Sequence, residues 1–248
     1  MNKYKANDKY KVKCFETEKD KVKENNTPKS CQMGIFPKKL EQLGILCVGR
    51  TGAGKTNVLL HMLTDANLLG GVFKPKDIFL YSALTPDKNL TKHLHIPKKN
   101  IITNWDEAKF KQHLEKIENV SKKDWAKAPY TMIILDDVLQ KKKFLKSATM
   151  SNLATTHRHM KVCYAILAQY YKAVSPVVRT NCSYIIYFAG SEMENIKLCE
   201  EQLPAFMNRK KFMQCVEFAT KDPYSFLTIN TRAEHNKKLR KGFNTIIN

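Results

Sequence analysis

The stretch that most constrains this chain is residues 43–63, LGILCVGRTGAGKTNVLLHML. An apolar run ends at Gly49, three of the nine glycines stand at Gly49, Gly52 and Gly54, and Lys55-Thr56 leads into a second apolar run. Gly49, Arg50, Thr51, Gly52, Ala53, Gly54, Lys55 and Thr56 fit G-x-x-x-x-G-K-[ST], a pattern that requires a strand before it and a helix after it. Glycines let such a loop take positive φ and turn its N–H groups inward on a phosphate. A helix starting near Gly54 adds the positive end of its dipole. Lys55 is expected to pair with the β- and γ-phosphates of ATP, and Thr56 to offer its hydroxyl to Mg²⁺. Asn57 completes the set of residues expected around the nucleotide.

The rest of the chain supplies the matching architecture. Short, almost continuous apolar runs at residues 44–48, 77–83, 100–103, 130–137, 162–169 and 183–190 read as strands. Runs without polar alternation belong to parallel sheets buried on both faces. Helical patterns lie between them: 55–69, the segment from about 105, 143–157 and 191–203. In the second, Phe110, Leu114 and Ile117 share one face, and Asn104 with Glu107 predicts a capping box. Alternating strand and helix predicts an α/β fold with a mostly parallel central sheet flanked by helices.

Two further runs carry chemistry. MIILDD, residues 132–137, ends a buried strand on two carboxylates. Ligands of open α/β sheets bind beyond the carboxyl ends of the strands, so Asp136 is expected in the Mg²⁺ shell and Asp137 to orient and polarise an attacking water. Gln169 ends VCYAILAQ. If that strand lies beside the Asp136 strand, its amide reaches the γ-phosphate and can couple hydrolysis to motion.

Composition narrows the partners. The chain has 248 residues with 43 Lys and Arg against 23 Asp and Glu, a net charge of +20. Such a surface points first to nucleic acid and second to anionic membrane. The seven cysteines form no C-x-x-C pair, which argues against a zinc ribbon and for a reducing, intracellular compartment. No apolar run approaches the roughly 20 residues of a membrane span, so a soluble protein is expected. Basic runs at 208–211 and 237–241 could track phosphates without reading sequence, and the run at 140–146 could face a channel or a neighbouring subunit.

Lys55-Thr56, the Asp136-Asp137 pair and the Gln169 strand, with THRHMKVCYAILAQYY at 156–171 and SPVVRTNCSYIIYF at 175–188, resemble the viral genome-packaging ATPases of the FtsK/HerA superfamily. The resemblance is to the poxvirus-type enzymes of large nucleocytoplasmic DNA viruses and their virophages, and covers about residues 43–190. It implies a RecA/FtsK-like P-loop NTPase that hydrolyses ATP with Mg²⁺. It also implies a homo-oligomeric ring, hexameric or pentameric, that pumps double-stranded DNA into capsids and has capsid proteins as further partners. An arginine supplied in trans is implied too. Arg158 and Arg179 are both candidates, with Arg158 preferred. The implied place of work is the host-cell cytoplasm at sites of virus assembly, with the virion as a second location.

The corresponding domain reading is a basic N-terminal arm at 1–33, a P-loop ATPase core at 34–205 and a C-terminal elaboration with a basic tail at 206–248. Two other classes fit the phosphate loop: a nucleoside or nucleotide kinase, and a nucleotide-switched nucleic-acid-binding protein. The kinase lacks support in a compact Arg-rich lid segment. An ABC-type ATPase is disfavoured by the absence of an S-G-G signature after the loop.

Overall fold

The structure is a computed structural model that describes residues 36, 39–83, 85–136, 143–205 and 207–247. Six strands run parallel: β1 (Gly44–Val48), β2 (Ile78–Ser82), β3 (Ile101–Ile102), β4 (Thr131–Asp136), β5 (Val162–Ala168) and β6 (Tyr184–Phe188). Their lateral order is β3-β2-β4-β5-β1-β6. Three antiparallel strands extend the sheet beyond β6: β7 (Phe226–Asn230), β8 (Leu239–Lys241) and β9 (Thr245–Ile246).

The unbroken apolar runs are explained by burial on both faces. Leu46 and Val48 of β1 face one apolar core while Ile45 and Cys47 face the other. The same division holds in β4, with Ile133 and Leu135 against Met132 and Ile134. A one-residue slip would exchange the two faces wholesale, so the register is firmly set. Each fully buried Ile, Leu or Val contributes roughly 1.5–3 kcal/mol.

Seven α-helices cover the sheet among the described residues. α1 (Lys55–Thr64) and α2 (Lys88–His93) pack Leu59, Met62, Leu63 and Leu90 on one face. α3 (Glu107–Lys123), α4 (Ala148–Thr156), α5 (Pro176–Asn181), α6 (Glu192–Gln202) and α7 (Arg209–Thr220) serve the other through residues such as Phe110, Met150, Val178, Leu198 and Phe212. The expected α/β architecture with a mostly parallel sheet is the one observed.

Several boundaries differ from the sequence expectation, each for a local reason. α1 ends at Thr64 rather than running to residue 69, because the Asp65 carboxylate accepts from Asn67 N at 2.7 Å and Gly70 N closes back on Asp65 O. Asn104 does not cap α3. Asp106 does, accepting from Lys109 N at 2.8 Å, and Glu107 instead accepts from the Thr149 hydroxyl at 2.6 Å. The expected helix over 143–157 is broken into a 3₁₀ turn at Phe144–Lys146 and α4, because Ser147 caps α4 by accepting from Met150 N at 3.3 Å. The strand expected at 100–103 shortens to Ile101–Ile102.

Within the segment 237–241 of the expected basic tail lies β8, with Leu239 and Arg240 buried and Lys241 bonded to the Asp222 carboxylate at 2.6 Å. No helix among the described residues is long and apolar enough to cross a membrane.

Candidate nucleotide site

β1 ends at Val48, and Gly49 N continues its ladder by donating to Ala168 O at 3.1 Å. The chain then has to turn tightly into α1. Gly52 and Gly54 take φ of +80° and +101°, which side-chain-bearing residues adopt only with strain. Gly49 has a different reason to be glycine: a Cβ there would lie 2.8 Å from Cβ of Phe188 in β6. Ala53 N donates to Arg50 O at 3.1 Å and closes the loop. Gly54 is the N-cap of α1 and no side chain caps it, so the first N–H groups of that helix point at the space above the loop.

Lys55 folds its side chain back across the loop. Its Nζ donates to Gly49 O at 2.8 Å and to Arg50 O at 3.1 Å. Thr56 is half-buried on the first turn of α1, and Arg50, Thr51 and Asn57 are exposed. Arg50 through Asn57 therefore form one contiguous exposed to half-buried stretch around the start of α1.

The sheet order brings the other expected residues to the same edge. β5 lies between β1 and β4, with Val48 opposite Ala168 and Leu135 opposite Ile166. Gln169, the next residue after β5, thus stands between the phosphate loop and the tip of β4. It lines a cleft with Gly49, Arg50, Tyr187, Gly190 and Glu194. Asp136 closes β4, half-buried and opposite Ser82 of β2. At the usual inter-strand spacing it is two strands, about 10 Å, from Gly49. Asp137 lies outside the described residues.

The hard oxygens of Thr56 and Asp136 suit Mg²⁺. Among the described residues no cluster of three or more His, Cys, Asp or Glu could hold a metal by itself.

The two arginines are placed differently from these residues and from each other. Arg158 precedes β5 and lines a polar cleft with Gln42, His157, Asn181 and Arg232 at the ends where the parallel strands begin. It is exposed, and the seven residues of β5, about 23 Å, separate it from the phosphate edge of its own chain. Arg179 is only 3% exposed. Its guanidinium holds Glu201 through two bonds, Nε to Oε2 at 2.8 Å and Nη2 to Oε1 at 2.5 Å, and also donates to Val174 O. Burial disfavours both charges, yet the pairing outweighs it, holding the Glu201 carboxyl below its ordinary value and Arg179 above. Arg179 is therefore paired inside its own chain.

Next to Arg158, His157 is buried with Nδ1 2.8 Å from Val162 O, and burial pulls its pKa down to about 4. Of the basic runs, residues 140–142 lie outside the described residues. Arg209, Lys210 and Lys211 are exposed on the first turn of α7.

Three features of this edge are not apparent from the motif. Gly190 is required by Tyr187, whose hydroxyl would sit 2.1 Å from a Cβ there. That hydroxyl donates to Asn195 Oδ1 at 2.7 Å, and Glu194 accepts from Tyr171 N at 2.5 Å, so α6 is tied to the tips of β5 and β6. Tyr224, in the turn before β7, packs beside Gly54. Gly190 does carry a sequence signal, since it follows an apolar run as Gly49 does. Tyr224 has no signal in the motif.

Residues 38–230 match the family model described as Poxvirus A32 protein. Uncharacterized protein 075L of Invertebrate iridescent virus 6 is 21% identical over 195 residues, which cover 77% of this chain and 72% of that protein. Among solved structures, the fold is similar to the genome packaging NTPase B204 from Sulfolobus turreted icosahedral virus 2 in complex with AMPPCP. The TM-score is 0.56 at 15% identity, over 82% of this chain and 97% of that one. It is also similar to EssC (ATPases 2 and 3) from Geobacillus thermodenitrificans, with a TM-score of 0.53 at 15% identity over 82% of this chain and 39% of that one. These likenesses place the sheet and its phosphate loop in the P-loop NTPase fold.

Proposed function

This chain belongs to the family of the poxvirus A32 protein, and we propose that it is an ATPase that drives double-stranded DNA into viral capsids. The observation that carries the reading is the single edge formed by three adjacent strand ends: the Lys55 loop after β1, Gln169 after β5 and Asp136 at the end of β4. Gly49–Thr56 cradle the phosphates of ATP, and Lys55 transfers its grip from loop carbonyls to the β- and γ-phosphate oxygens. Asn57 flanks the nucleotide on the first turn of α1. Thr56 and Asp136 hold Mg²⁺, which when bound offsets the charge on the phosphates. Asp137 orients and polarises the attacking water. Gln169 contacts the γ-phosphate and registers its departure at the start of the segment leading to α5.

Arg158 suits a role in trans. A head-to-tail ring sets one patch of each subunit against a different patch of the next. A ring that faces the phosphate edge of one copy with the Arg158 edge of its neighbour completes the site, and the guanidinium stabilises charge on the transferring phosphoryl group. The ring is a hexamer or a pentamer. The exposed cations at the start of α7 and the net charge of +20 grip the DNA backbone without reading bases. The N-terminal arm and the C-terminal elaboration serve contacts with DNA, capsid protein or neighbouring subunits, at sites of virus assembly in the host cell.

The test is phosphate release from ATP with and without double-stranded DNA. A packaging motor is stimulated by DNA, and the stimulation falls steeply between low and moderate salt. Asp137→Asn keeps ATP binding and loses turnover. Arg158→Ala, mixed into wild-type protein, depresses activity more than its share of the mixture. Phosphate appearing on an added nucleoside would make the protein a kinase instead.

A further inference from the structure

Beside the phosphate loop stands an aromatic residue that no step above uses. Residues 222–225, Asp-Pro-Tyr-Ser, form a tight turn before β7. Ser225 N donates to Asp222 O at 3.1 Å, the Ser225 hydroxyl donates to the same oxygen at 2.7 Å, and Asp222 N donates back to Ser225 Oγ at 3.1 Å. The Asp222 carboxylate is anchored to Lys241 of β8 at 2.6 Å. Proline at the first central position and positive φ at the second are the type II pattern, in which the second position calls for glycine. Here it holds Tyr224 at φ +61°, with 73% of the residue exposed. An exposed ring on a strained backbone contributes little to folding, and three hydrogen bonds and an ion pair tie the turn around it.

The ring is also in a particular place. Its Cδ1 lies 3.5 Å from where a Cβ on Gly54 would be, so one side of the phenol lies against the glycine that precedes Lys55. Behind it Phe188, Phe226 and Phe243 form a chain of ring contacts at 5.5 and 5.2 Å between centroids. The γ-phosphate end of a bound triphosphate is assigned by Gln169 and Asp136, which lie on the β5–β4 side of the loop. The remainder of the nucleotide then extends the other way, toward β6 and β7, where Tyr224 stands.

We propose that Tyr224 is the platform on which the nucleobase of the bound triphosphate stacks. The inference rests on the nucleotide reading of the Lys55 loop. Stacking on an aromatic face tolerates any base, because every base has a π-face. It therefore supplies affinity and orientation without selecting among bases. The C-terminal strands acquire a purpose in this arrangement, since the turn leading into β7 presents the ring.

The test compares ATP with inorganic tripolyphosphate, which has the phosphates and no base, by calorimetric binding to the full chain. Tyr224→Gly suits the backbone conformation better than tyrosine does, so its melting temperature is expected to hold or rise. ATP affinity is expected to fall about tenfold while tripolyphosphate affinity stays unchanged, and Tyr224→Trp is expected to bind ATP as wild type does. Undiminished ATP binding in Tyr224→Gly overturns the platform. Equal weakening of both ligands also overturns it, because the turn would then only shape the phosphate loop. Lys55→Ala separates the two readings. If it disturbs neither ligand, the phosphate site fails and the platform with it; if it weakens both while Tyr224→Gly weakens neither, the platform alone fails.

Discussion

Where the parallel strands begin, buried polar groups close on backbone of the same chain. The Ser183 hydroxyl accepts from Gly44 N at 3.1 Å, His157 meets Val162 O at 2.8 Å, the Lys161 ammonium donates to Ala128 O at 3.0 Å, and the Asn100 amide donates to Lys76 O and Ile78 O. Where the strands finish, Arg50, Thr56, Asp136 and Gln169 are half-buried or exposed, and Arg50 and Gln169 line a cleft. The first end spends its polar groups on holding the sheet together, and the second keeps them at a surface a ligand can reach. Substitutions of the buried groups at the first end should therefore register as stability, and those of the accessible groups at the second as activity.

The two arginine candidates test most strongly whether burial decides the outcome. Arg179→Met removes both guanidinium bonds to the half-buried Glu201 carboxylate, which keeps Tyr171 and Lys197 as partners, and a loss of roughly 2–3 kcal/mol is expected in denaturant unfolding. Arg179→Met combined with Glu201→Leu should recover part of that loss, since replacing both charges removes the carboxylate left without its guanidinium. Arg158→Ala changes an exposed side chain and should leave the unfolding midpoint within about 0.5 kcal/mol of wild type. Equal loss in the two single variants would break the assignment of Arg179 to the interior.

Lys55→Ala is the converse case. Turnover of ATP is expected to fall on the order of a hundredfold to a thousandfold, the scale for losing one positioned charge or donor at a transition state. The melting temperature should barely move, because Lys55 closes a surface loop rather than the core. A large drop in melting temperature would mean that the bonds from Nζ to Gly49 O and Arg50 O hold the fold.

His157 gives the foundation a pH signature. Its folded pKa is near 4 against an ordinary 6.5, because burial opposes the imidazolium. Below about pH 6.5 the unfolded chain therefore binds a proton that the folded chain refuses. This contribution leaves stability intact above pH 6.5 and lowers it progressively toward pH 4, by about 3 kcal/mol in all. Unfolding free energies measured across that range check it. His157→Phe should flatten this part of the profile, and an unchanged slope would place the titration elsewhere.

The division between the ends also separates what is legible in the amino-acid sequence from what is not. The six parallel strands and the loop after β1 follow from local rules: unbroken apolar runs, glycine spacing and a lysine at a fixed offset. Their lateral order does not, since nothing local says that β5 lies between β1 and β4, and Gln169 gains its place only from that order. The caps show the same limit. Asn104 and Asp106 both satisfy the N-cap preference, and tertiary contact decides between them by sending Glu107 to Thr149. The arginines are the least legible, because burial distinguishes them and spacing does not. The strands after β6 resemble a basic tail because lysines and arginines flank Leu239, hiding a three-residue strand among charges.

Ser183→Ala carries the smallest expected effect and sharpens the comparison at its finest point. The Ser183 hydroxyl bridges β6 and β1, accepting from Gly44 N at 3.1 Å and donating to Gly44 O at 3.4 Å. Ser183 is fully buried, and Gly44 opens the strand whose far end carries the phosphate loop. Alanine removes the acceptor and leaves a buried N–H unsatisfied, at a cost of about 1–2 kcal/mol. If the ends are as separate as their hydrogen bonds indicate, this loss appears in the unfolding midpoint, and the KM for ATP stays at the wild-type value. A shift in KM would show that β1 transmits strain along its five residues, from its foundation to Gly49, and that the loop depends on the strand being pinned at both ends.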